Sequence, residues 1–133
     1  MSTKKVIAVV EASSTGYGVY SDSLPGITGY GKTVDKAKTN FYSALEETIK
    51  SYKKVKLPKE LKGKFSIIFK YDIASIFEHF GMLDATGLAE KIGMNASLLR
   101  QYKSGHALAS DKQKAKIQNG LHALGRELLQ IRL

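Results

Sequence analysis

The stretch GLAEKIGMNASLLRQYKSG, residues 87–105, reads as two short helices joined by a tight turn. Leu88, Ala89 and Ile92 recur at the three- and four-residue spacing that puts them on one buried face, and Gly93 supplies the turn. Asn95 caps the second helix, and Met94, Leu99 and Tyr102 pack inward. That leaves Ala96, Ser97, Arg100, Gln101 and Lys103 on the side away from the core. Such a face suits a major groove: small residues at its start let the backbone enter, and long donors behind them reach base edges and phosphates. The pattern predicts a helix-turn-helix, weighed against an ordinary pair of packed helices.

Working outward, Asp72 caps a preceding helix that carries Ile73, Ile76, Phe77 and Phe80 inward and ends at Gly81. Beyond Gly105, Ser110 with Gln113 forms a capping box for a last helix, along which Ile117, Leu121, Leu124, Leu128 and Ile131 step by four and three. Part of this coiled-coil-like seam closes the domain's own core, and its continuation to residue 131 predicts a homodimer, or a higher even oligomer, that sets two recognition helices on a two-fold site in double-stranded DNA. Residues 72–133 thus read as an all-α helix-turn-helix domain with a C-terminal dimerisation helix.

Residues 1–71 have a different texture. Val6 to Ala12 is a good strand, Ser13 to Gly16 a turn, and Tyr17 to Ser21 a second strand, together an opening hairpin. Ile27 to Gly31 is a third short strand or a loop. Thr33 caps a helix running to about Lys54, with Val34, Ala37, Phe41, Leu45, Ile49 and Tyr52 as its apolar stripe. After a connector from Val55 to Lys64, Phe65, Ile67, Phe69 and Tyr71 alternate along another strand. The expectation is an α+β chain: a small antiparallel sheet with one packed helix, then the all-α domain.

The net charge is +9, and residues 1–70 hold thirteen lysines against six carboxylates, +7, leaving +2 for the rest. An anionic partner is favoured, yet the half expected on DNA is the less basic one. The segment from Lys50 to Lys64 accounts for much of the imbalance and reads as a solvated lysine face or a second nucleic-acid contact. With no cysteine there are no disulfides and no thiolate chemistry. The basic then apolar start, MSTKKVIAVV, is cut by Glu11 and lacks a signal-type cleavage site, and no apolar run reaches membrane length. A cytoplasmic protein is expected.

Gly87 to Ser110 resembles the phage-repressor, or Xre-type, helix-turn-helix, whose turn glycine, inward residues and closing glycine fall at Gly93, Met94, Leu99, Tyr102 and Gly105. The resemblance implies base reading by Ala96, Ser97 and Gln101, and places Asn95, Lys103, Ser104 and His106 near phosphate. Leu98 departs from it, an apolar residue where a polar one is usual. The run Gly16 to Tyr52 resembles the N-terminal domain of HicB-type antitoxins through Gly16, Tyr17, Asp22, Leu24, Pro25, Gly26, Gly31, Thr33 and Ala37. Lys32 and Lys36 stand where members often carry carboxylates. Taken in this order, the two likenesses imply a degenerate, non-enzymatic ribonuclease-H-like domain that masks a small RNA-cleaving HicA-type toxin, and a second domain that represses its own operon. Tyr17, Tyr20, Asp22, Leu24 and Tyr30 are then the toxin-binding candidates, although the three tyrosines read equally well as half-buried sheet residues.

GITGYGKT, residues 26–33, satisfies the phosphate-loop pattern, but no buried apolar strand precedes it, so Gly31 reads as a turn residue and Thr33 as a cap. Glu11, Asp22 and Asp35 would serve a metal-dependent nuclease only if they converged. His79, His106 and His122 lack metal-ligand spacing, and no serine sits in a nucleophile elbow. No cofactor is expected. The readings carried forward are an antitoxin and repressor, a standalone dimeric regulator and, behind both, a small nuclease.

Overall fold

The strand β1, Lys4–Ala12, is bonded on both sides. In the computed structural model, which describes residues 3–52 and 56–133, it pairs antiparallel with β2 (Tyr17–Tyr20), and β2 pairs antiparallel with β3 (Thr28–Gly31). On its other side β1 pairs parallel with β4 (Phe65–Tyr71), giving the order β3-β2-β1-β4. The sheet is therefore mixed, not purely antiparallel as the sequence suggested. A strand that returns after a helix re-enters in the same direction, and that direction is invisible to periodicity.

The helix α1, Val34–Ser51, makes the return. Thr33 caps it by accepting from the Lys36 amide at 3.1 Å. Its stripe of Val34, Ala37, Phe41 and Leu45 is buried with Val6, Ala8, Val10 and Val19 of the sheet. The helix ends at Ser51, before the expected Lys54; Lys53 and Lys54 of the lysine-rich segment, with Val55, lie outside the described residues. Leu61, on a single 3-10 turn over Lys59–Leu61, also enters the core.

The closest packing is backbone on backbone. A Cβ at Gly29 would lie 2.5 Å from Ala37 O and from Phe41 N, and one at Gly31 would lie 2.5 Å from Ala37 N. Both glycines of β3 let α1 lie directly on the strand.

The helix α2, Ile73–His79, belongs with the sheet, and the chain divides after His79, one helix later than the sequence boundary at residue 71. Asp72 caps α2 as expected, accepting from the Ser75 amide at 2.9 Å. Ser75, fully buried, donates its hydroxyl to Val10 O at 3.1 Å and Asp72 O at 2.8 Å. Phe77 is buried as expected, Ile73 and Ile76 are half-buried, and Phe80 lies past the helix end with 42% of its surface exposed. A serine in that core position has no hydrophobic signature, so the sequence alone does not tie α2 to the sheet.

The second unit, Phe80–Leu133, is all-α: α3 (Ala85–Ile92), α4 (Ala96–Ser104) and α5 (Asp111–Leu129). Its core holds Ala85, Leu88, Ala89, Met94, Leu99, Tyr102 and Ile117.

Gly29→Ala should lower the stability of the first unit by about 1–3 kcal/mol, as overpacking does against an unyielding backbone. Gly18→Ala, whose added methyl meets nothing closer than 4.0 Å, should leave the thermal midpoint nearly unchanged. Equal midpoints for the two variants would mean that α1 does not sit on β3 this closely.

Candidate nucleic-acid interface

Each helix of the second unit begins on a side-chain cap. Asp84 accepts from Gly87 N at 2.8 Å, Asn95 from Leu98 N at 2.9 Å and Ser110 from Gln113 N at 3.2 Å. The cap at Asp84 starts α3 before Gly87, where the quoted stretch began. Gly93 and Gly105 close α3 and α4 in the left-handed region, at φ 74° and 81°, as the sequence required. Between α3 and α4 lie only Gly93, Met94 and Asn95, so α4 leaves the turn in a fixed direction.

Leu99 and Tyr102 anchor α4 from beneath, with Met94 beside them, and Leu98 is half-buried. Ser97, Arg100, Gln101 and Ser104 are exposed at the i, i+3, i+4, i+7 spacing of a single helical stripe. Asn95 and Lys103 flank that stripe and are exposed, and Ala96 is half-buried at its start. Ser104 is hydrogen-bonded to the ring Nδ1 of His106, which holds that side chain at the end of α4. From Asn95 to Ser110 there is no acidic residue. Arg100 is partly committed within the unit, its Nη1 donating to Thr86 Oγ1 on α3 at 2.8 Å.

Behind the pair, α5 runs back along α3. Lys116 Nζ donates to Gly93 O at 2.8 Å and satisfies a turn carbonyl, and Lys91 pairs with Glu127 at 2.8 Å on the surface. Gly120 is the contact point, since a Cβ there would come within 2.2 Å of the Ile92 Cγ2. The shallow groove between α3 and α5 carries Lys91, Lys112, Lys116 and Arg126. These cations escaped the sequence reading because they are spread over two helices.

The seam foreseen on α5 is divided. Ile117, 3% exposed, closes the unit's own core and is not free for a second chain; Leu121 and Leu124 are half-buried. Leu128 is 55% exposed, and Leu129 more so. The helix ends at Leu129, so Ile131 is exposed but lies beyond the helical seam.

In the first unit the toxin-binding candidates also separate. Tyr17 and Leu24 are core residues, 7% and 2% exposed, and cannot act as surface anchors. Tyr17 packs edge-on against His79, and burial, then the Glu78 carboxylate, pushes its phenol above the ordinary range. Tyr20 is half-buried and donates to Glu11 Oε1 at 2.9 Å; that bond, then burial, holds its phenol up as well. Asp22 and Tyr30 are on the surface, Tyr30 donating its hydroxyl to Thr15 O at 2.8 Å.

The phosphate-loop look-alike is for the most part β3 itself: Thr28 to Gly31 are paired with β2, and Thr33 is spent as a cap. Among the described residues no three His, Asp or Glu side chains group as a metal site, and no helix is long and apolar enough to cross a membrane. No family model, no curated protein and no solved structure matches the chain.

Two glycines of α5 test its seating. Gly120→Ala should destabilise the second unit, because the β-branched Ile92 has little rotamer freedom to yield. Gly125→Ala, with nothing within 4 Å, should raise stability by up to about 1 kcal/mol through helix propensity alone. Thermal melts that move in the same direction for both would refute the Ile92 contact.

Proposed function

We propose that this chain is a DNA-binding repressor that presents α4 to the major groove as a two-fold oligomer, and that its first unit masks a small RNA-cleaving toxin. The observation that carries the DNA half is the exposed, acid-free stripe of Ser97, Arg100, Gln101 and Ser104 on a helix anchored by Leu99 and Tyr102 and closed at both ends. Small residues at the start of α4 admit the backbone to the groove, and Gln101 and Arg100 supply donors for base edges. Lys103 and His106 stand at the end where phosphate contacts orient such a helix. The toxin half is supported by the HicB-like residue pattern, with Tyr20, Asp22 and Tyr30 as the members of the candidate set that a partner can reach.

A second reading is favoured by the charge of the first unit. Its thirteen lysines against eight carboxylates over residues 1–79, a net +5, would repel a basic toxin, which suits a standalone regulator with no such partner. Sequencing the flanking DNA and expressing any toxin-sized reading frame found beside this one separates the two, and the absence of such a frame favours the standalone regulator. On the antitoxin reading its product cleaves RNA and arrests growth, and the full chain relieves the arrest; a product that does neither leaves the regulator.

On specific DNA, Gln101→Ala and Ser97→Ala should each lower discrimination between operator and random sequence by about 1–3 kcal/mol if they read bases. Lys103→Ala should weaken both alike and flatten the salt slope by about one. Three variants that titrate like the parent on both DNAs would remove α4 from the interface. Leu128→Asp should halve the assembly mass in sedimentation velocity, and an unchanged mass would take the α5 seam out of self-association.

A further inference from the structure

We propose that β4 is a second self-association surface, at which two chains pair edge to edge, antiparallel about a two-fold axis through Ile68, to make one continuous eight-stranded sheet. The inference does not depend on the DNA or toxin readings.

The two edges of the sheet are finished differently. At β3 the strand is four residues long, two of them glycine, and Asn40 Oδ1 occupies the Tyr30 amide at 2.8 Å. A side chain from α1 thus plugs that edge, as proteins commonly do to keep an edge from pairing. At β4 the strand is seven residues long, FSIIFKY, with no glycine, proline or bulge. Among the described residues no side chain or loop backbone bonds to the outer edge of β4.

The side chains of β4 are also incompletely covered. Phe65, Ile67, Phe69 and Tyr71 face the core and are only half-buried, whereas Val6, Ala8 and Val10 on the neighbouring strand are fully buried. On the opposite face Ser66, Ile68 and Lys70 are exposed. An unpaired edge beside four half-covered large apolar side chains leaves area that a neighbouring strand would bury.

Charge selects both the occupant and the register. A two-fold axis perpendicular to the sheet keeps like faces together, so only alternate registers are open. Centred on Ile68, Lys64 meets Asp72 of the second copy, Ser66 meets Lys70, and Ile68 meets itself. On the core-facing side Phe65 then meets Tyr71 and Ile67 meets Phe69. Centred on Ile67, Lys64 would face Lys70, a like-charge pair; centred on Phe69, Lys70 would face Ile68. The strand is thus complementary to itself in one register, which marks a second copy of this chain as the partner.

The chain has no cysteine, so single introduced thiols report the pairing cleanly. Directly opposed residues in an antiparallel pair have Cα atoms about 4.5–5.5 Å apart, within disulfide reach. In the Ile68→Cys chain the two thiols face each other. In Ser66→Cys they are four residues out of register, on the order of 13 Å apart. Under mild oxidation at micromolar concentration Ile68→Cys should give a covalent dimer at least about tenfold faster than Ser66→Cys, because pairing raises the local thiol concentration. The double variant Ser66→Cys with Lys70→Cys should recover the fast rate.

Equal, slow rates for all three would overturn the proposal. As a second readout, Ile68→Lys sets like charges on the axis and should halve the assembly mass with the circular dichroism melt retained. An unchanged mass in that folded variant would overturn it too. Both readouts are independent of α5, so failure of the Leu128 prediction leaves them decisive.

Discussion

Everything in the first unit hangs from β1 being bonded on both sides. Its antiparallel neighbour comes from the local hairpin, but its parallel neighbour requires the chain to leave the sheet, cross it as α1 and come back in the same direction. That crossing is what the glycines of β3 permit: without side chains at residues 29 and 31 the helix backbone rests on the strand, and Phe41 reaches both the core and the Phe69 ring, 6.3 Å away. The C-terminal end of β1 then anchors α2, since Val10 O accepts from both the Asp72 amide and the Ser75 hydroxyl. One carbonyl thus ends the ladder and seats the next element, which is how α2 comes to be part of the sheet's unit.

The second unit is built by another logic, in which the helix ends are set locally. Three capping side chains and two left-handed glycines set the ends of α3, α4 and α5, and a handful of buried residues hold them together. Because the apolar anchors of α4 lie on one side, its opposite side is polar and carries no carboxylate, and it is on this composition that the proposed DNA reading rests. On the proposed reading the work is divided: the helical unit would read DNA, while the sheet unit would offer the β4 edge and Tyr20 and Tyr30 to protein.

This contrast explains what the sequence disclosed. Thr33, Asp72, Asn95 and Ser110 are legible as caps, and Gly93 as a helix end, because capping is decided within four residues; Gly105 as the end of α4 follows from the resemblance to phage repressors. Met94, Leu99 and Tyr102 were legible as anchors because helical spacing fixes their face. The direction of β4, the core role of Ser75 and the burial of Tyr17 and Leu24 were not legible, since each depends on partners distant in the chain. Ile117 shows the same limit on the candidate interface: an unbroken stripe on α5 does not tell which of its turns the unit uses for itself. The finishing of the β3 edge by Asn40 had no sequence signature either, for an asparagine on an exposed helix face reads as solvent-facing.

The parallel pairing of β1 with β4 also sets an order of events in folding. Lys4 finds its partner at Phe65, so closing the sheet costs the entropy of a loop that spans nearly the whole unit, whereas the helical unit closes over shorter separations, as from Gly93 to Lys116. During synthesis β1 waits with one edge open until β4 has followed it. Its apolar run, VIAVV, is the most aggregation-prone stretch during that wait, and it is bracketed by Lys4 and Lys5 on one side and Glu11 on the other. Those charges serve as gatekeepers for a strand that is synthesised well before its second partner, and in the finished unit Lys4 and Glu11 bond to the turn around Leu61 and to Tyr20.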